Sequence, residues 1–218
     1  MRNQPWTRRA LLCLSAALMV GVPLSGSGED IDIFSVDEVA TVNKPNVLFV
    51  LDNSSNWSRQ SQKWPGGLTQ GQSEVRAIKN VLNSLPDNVV NVGILEHRTQ
   101  GSSGDNDGAF IRYHIRSLNS SNKVAIGNHL DTIFNDINGP VEKRNSGNPF
   151  GNLFWDVYNY LSGGNVTDGG AGTPSTRADS GAYTSAYSKF RSPLTTNDTC
   201  TRTVVIFLGN NVSNGPTR

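Results

Sequence analysis

The sequence predicts an α/β fold: a doubly wound, mostly parallel sheet with helices on both faces. No polar residue interrupts VLFVL at 47–51, and TVVIFL at 203–208 is a second continuous apolar strand, as expected of strands covered on both sides. Between them, strand-like segments alternate with stretches whose apolar residues recur at helical spacing, the rhythm of strand–helix units packed into layers.

The elements follow in order. Pro45 discourages helix before it, so 29–45 reads as an extended lead-in to the strand at 47–51. Residues 72–85 place Val75, Ile78, Val81, Leu82 and Leu85 on one helical face, and Pro86-Asp87 stops them. VVNVGIL at 89–95 is the next strand. AFIRYHIRSL at 109–118 alternates apolar with polar residues, which predicts an edge strand with one wet face. Helical stripes return at 122–137 and at 150–161, where Phe150, Leu153, Phe154, Val157 and Leu161 align and Trp155, Tyr158 and Tyr160 sit among core positions. Residues 162–198 form a Gly/Ser/Thr-rich insertion with one short helical stretch near 182–190. One domain is expected over 46–218.

Residues 1–28 carry Arg2, Arg8 and Arg9, then the apolar run ALLCLSAALMVGV, then small residues before Glu29 and Asp30. This is the pattern of a secretory signal peptide, and the run is too short to span a bilayer. No later stretch is a membrane span by length. Three of the 19 basic residues leave with the signal, so 16 face 18 acidic ones; nothing in that balance suggests a nucleic-acid partner. Cys200 is then the single remaining cysteine in an oxidising compartment.

The chemistry concentrates where the first strand ends, in NVLFVLDNSSNWS. Ligands of open α/β sheets bind beyond the carboxyl ends of the strands, and Asp52 and Asn210 stand at two such ends. Asp52, Ser54 and Asn56 present oxygens at alternate positions, the donor type that magnesium and calcium prefer. The same residues also shape loops through Asx and Ser turns, so both readings stand. Trp57 and Trp64 flank this loop and form either a recognition platform or a cap on the sheet edge. His97, His114 and His129 fall on three elements without ligand spacing. No G-x-S-x-G elbow or phosphate-binding loop is present, so no enzyme is expected.

Asp52-x-Ser54-x-Asn56 after an apolar strand resembles the metal-ion-dependent adhesion site of von Willebrand factor A domains. With SGNPFGNLFWDVYNYLSGG and FRSPLTTNDTCTRTVVIFLGNNVSNGP, most of 46–216 resembles the N-terminal region of PilY-type proteins, which accompany type IV pili of Gram-negative bacteria. The resemblance implies a von Willebrand factor A-like fold, export to the periplasm, cell surface or pilus, and pilus proteins or a host or surface ligand as partners. It also implies an ion site in which Asn56 replaces a serine, Asn148 the second-loop threonine (with Thr173 as rival) and Asn210 an aspartate. Asp52 is left as the one anion, so magnesium or calcium is expected to be held weakly. Such a domain would continue past 208 with further strands, so the fold is expected to be incomplete at its C-terminus. The alternative function is binding of a small molecule or carbohydrate through the Trp57/Trp64 loop. Exported protein is expected to begin within Ser27–Asp30; N-terminal sequencing that reads from Met1 would contradict this.

Overall fold

An apolar β-strand with both faces covered needs partners on both sides, and β1 (Asn46–Leu51) has them. In the computed structural model β1 pairs in parallel with β2 (Asn91–His97) and with β6 (Thr203–Leu208), while β3 (Ala109–Ser117) runs antiparallel to β2. The sheet order is β3-β2-β1-β6. The structure describes residues 44–54, 56–61, 63–98, 108–143, 150–194 and 201–210, all within one compact unit.

Alternate residues of β1 feed opposite cores. Phe49 and Leu51 meet Val75, Ile78 and Leu82 of α1 (Gln70–Ser84) and Ile126, Leu130 and Ile133 of α2 (Ser120–Asn135). Leu48 and Val50 meet Leu153, Val157 and Tyr160 of α3 (Phe150–Ser162). Thr69 starts α1 with a capping box: its hydroxyl accepts from Gln72 N–H, while Gln72 Oε1 accepts from Thr69 N–H at 3.1 Å. Asn119 caps α2 with its side-chain oxygen, which accepts from Asn122 N–H at 2.9 Å. The mixed, mostly parallel sheet flanked by helices agrees with the expected fold class.

Three local expectations are corrected. The polar face of β3 is not wet throughout: Arg112 is fully buried, because its charge is met by carboxylates instead of water, while His114 and Arg116 remain partly exposed. Residues 182–190 are not helical. A 3-10 turn at Ser180–Ala182 leads into a hairpin of β4 (Tyr183–Ser185) and β5 (Lys189–Phe190), where Tyr187 takes a positive φ and Tyr183 stacks on Phe190 at 5.4 Å. Finally, Trp155 and Tyr158 leave the core with Phe154, at 53%, 60% and 41% exposure, because the buried stripe of α3 is narrow.

Leu48→Asp would place an unpaired charge at a fully buried position. The expected result is loss of cooperative unfolding or destabilisation by more than about 4 kcal/mol in urea titrations.

Candidate functional site

The strand order reverses at β1: its next neighbour in sequence lies on one side and β6 on the other. In open sheets the ligand crevice forms at such a switch point, beyond the carboxyl ends of the strands. Asp52 N–H extends the ladder to Leu208 O at 3.0 Å, and its carboxyl group then closes the loop. Oδ1 accepts from Ser54 N–H at 3.2 Å and Oδ2 from Asn210 N–H at 2.9 Å. Asn210 returns the contact: its Nδ2 donates to Ser54 O at 2.9 Å and to Ser54 Oγ at 3.0 Å. Three of the sequence-predicted residues, Asp52, Ser54 and Asn210, thus form one knot between two strand ends.

Around the knot lies a polar group that the sequence reading missed. His97 Nε2 stands 4.0 Å from Asp52 Oδ1, both side chains fully buried. Asn53 Nδ2 donates to His97 O at 3.3 Å and to Glu142 O at 3.1 Å, joining β1, β2 and the segment after α2. Arg112 binds Glu96 Oε1 at 2.8 Å and both oxygens of Glu142, and Arg177 Nε reaches Glu142 Oε1 at 2.7 Å. Burial pushes the Glu96 carboxyl up from its ordinary 4.5 to about 7, against the pull of Arg112 and with the repulsion of Glu142. Arg98 donates to Thr167 O and Ala171 O, and Asp156 Oδ1 accepts from Thr167 N–H and Oγ, so the Gly-rich turn at 167–171 is held from two sides. The available sequence signal was Glu96-His97-Arg98 closing an otherwise apolar strand.

The remaining predicted residues go elsewhere. Asn56 is partly exposed, and its Oδ1 lies 3.5 Å from Arg59 Nη1. Trp57 is no exposed platform. It is fully buried, because Gly71 leaves room for its indole (a Cβ at Gly71 would come within 2.5 Å) and Glu74 Oε2 accepts from Nε1 at 2.6 Å. Burial raises the Glu74 pKa, offset by hydrogen bonds from Gln70 and Trp57. Trp64 is 43% exposed and bridges to Leu68. Thr173 N–H bonds back to Gly170 O. Asn148, Cys200 and the signal segment lie outside the described residues.

The Asp52 and Ser54 oxygens expected to hold a divalent ion bond to groups of the chain itself. Both oxygens of Asp52 hold N–H groups, the amide nitrogen of Asn210 occupies Ser54 Oγ, and no cluster of three or more His, Cys, Asp or Glu is found among the described residues. No family model, curated protein or solved structure matches the chain. No helix among the described residues is long and apolar enough to cross a membrane.

Because Glu96 holds its proton more tightly folded than unfolded, its contribution to stability is complete below pH 4.5 and is lost as pH rises to about 7. The stability of wild type relative to Glu96→Gln should therefore fall by about 3 kcal/mol over that interval in urea titrations. A difference that stays flat with pH would contradict a raised Glu96.

Proposed function

We propose that this chain is an exported, non-enzymatic binding module of von Willebrand factor A-like architecture, associated with type IV pili, whose partner docks at the crevice between the ends of β1 and β6. The observation that carries the proposal is the Asp52–Ser54–Asn210 knot at the point where strand order reverses. A polar cluster fixed by backbone N–H groups at a strand-end crevice suits recognition. The sequence resemblance of 46–216 to PilY-type proteins adds the pilus and the Gram-negative cell surface. A binding role is favoured over catalysis because the Ser54 hydroxyl accepts from the Asn210 amide, a group that cannot take its proton. The proposal routes nothing through a metal ion. The carbohydrate alternative loses half of its aromatic platform with the burial of Trp57.

Deleting the gene is expected to reduce surface attachment, twitching or pilus number, and Asp52→Ala to reproduce part of that loss while export stays at the wild-type level. Normal pili and attachment in the deletion strain would refute the pilus assignment.

A further inference from the structure

A carboxylate is rarely found fully buried unless an opposite charge meets it. Glu142 is such a group, yet in its segment, 138–143, no other side chain is buried. The apolar core ends just before the segment, at Ile137, and Val141 belongs to neither apolar layer. What holds the segment is polar. Asn138 Oδ1 accepts from Ser58 Oγ at 3.2 Å and from Lys143 Nζ at 2.8 Å, Glu142 O accepts from Asn53 Nδ2, and the N–H groups of Glu142 and Lys143 both turn back to Gly139 O. A surface segment with hydrogen bonds but no apolar anchor opens at small cost.

The place that receives Glu142 has the form of a carboxylate receptor. Arg112 of β3 spans both oxygens, Nη1 to Oε2 and Nη2 to Oε1 at 3.1 Å, and Arg177 from the Gly/Ser/Thr-rich insertion adds Nε to Oε1 at 2.7 Å. Guanidinium N–H groups matched to both oxygens are the usual means of recognising a carboxylate. The fit is incomplete. Arg112 Nε, Glu96 Oε2 and Asn53 Oδ1 are buried without a hydrogen-bond partner among the described residues. Such groups call for an explanation, and a ligand that brings donors and acceptors of its own supplies one. With Glu142 withdrawn, two guanidinium groups would face one buried carboxylate, Glu96; Asp136, 3.6 Å from Arg177 Nη2, is half exposed and screened by water. The opened site is cationic.

We propose that Arg112 and Arg177 form a carboxylate-binding site for a peptide partner and that Glu142 is its built-in competitor, which an acidic side chain or a free C-terminus of the partner displaces, lifting 138–143. This deepens the reading of the strand ends as a docking face and rests on it. Asn53 directly follows Asp52 and holds Glu142 O, so the displacement alters the floor of the same crevice. Because one carboxylate replaces another, neither arginine is left buried and unpaired, the state that costs most. Competition from Glu142 lowers the apparent affinity by the fraction of chains in which the site is open.

Three short peptides serve as probes: one whose only carboxylate is a central glutamate side chain, its glutamine analogue, and one whose only carboxylate is its C-terminus. Calorimetry on the exported chain is expected to show weak binding of a carboxylate peptide and none of the glutamine analogue, and the peptide that binds identifies the source of the carboxylate. Glu142→Gln, which removes the competitor's charge, should lower that dissociation constant about tenfold, and Arg177→Gln should raise it by about as much. In wild type, hydrogen exchange at the Glu142 and Lys143 amides should quicken as the peptide saturates while the amides of β1 and β2 stay protected, a readout that needs no variant to fold. The assay reads this site whether or not the chain serves pili, so its failure and that of the pilus assignment are separate results. No binding of either carboxylate peptide, equal binding of the glutamine analogue, an affinity that neither substitution moves, or Glu142 and Lys143 amides indifferent to saturating peptide would overturn the proposal.

Discussion

One carboxyl group gathers the backbone at the switch point of the sheet. Asp52 takes N–H groups from its own loop, at Ser54, and from the far strand end, at Asn210. These N–H groups lie outside regular secondary structure, Ser54 buried and Asn210 half-buried, and an unmet donor in a buried place costs about 1–3 kcal/mol. Asn210 Nδ2 ties the same two strand ends through Ser54. With Asp52 between them, the loop after β1 and the end of β6 act as one surface, and the proposed ligand crevice has a fixed floor.

The same economy recurs around it. The carboxyl end of β2 would bury Glu96, His97 and Arg98 at a cost unless each met a partner, and Arg112, Glu142 and Asn53 gather there from β3, from the segment after α2 and from β1. Buried ion groups of this kind add little net stability compared with an apolar core, but they fail badly when one member is removed. They therefore fix the arrangement of the segments that frame the crevice. Stability itself comes from the two apolar layers on either side of β1. On the α3 side, Phe154, Trp155 and Tyr158 face outward.

The fold class was legible because its signals are local. Uninterrupted apolar strands and helical stripes such as Val75, Ile78 and Leu82 report burial directly, and Asp52 and Asn210 were recognisable as strand-end residues. What failed depended on partners distant in sequence. Arg112 looked solvent-facing because alternation records polarity and cannot say whether water or Glu142, thirty residues away, meets the charge. Trp57 looked like a recognition platform or a cap on the sheet edge, because its pocket is made by the absence of a side chain at Gly71. Trp155 and Tyr158 looked like core residues because helical periodicity gives a stripe without saying how wide its cover is.

The central claim is that Asp52 ties the end of β6 to the end of β1, and the backbone N–H of Asn210 reports on it most directly. In hydrogen-exchange measurements by NMR, that amide is expected to be protected in wild type and to exchange at close to the rate of an open loop in Asp52→Ala, while the amides of β1 and β2 keep their protection. An Asn210 amide that exchanges equally fast in both proteins would contradict the account.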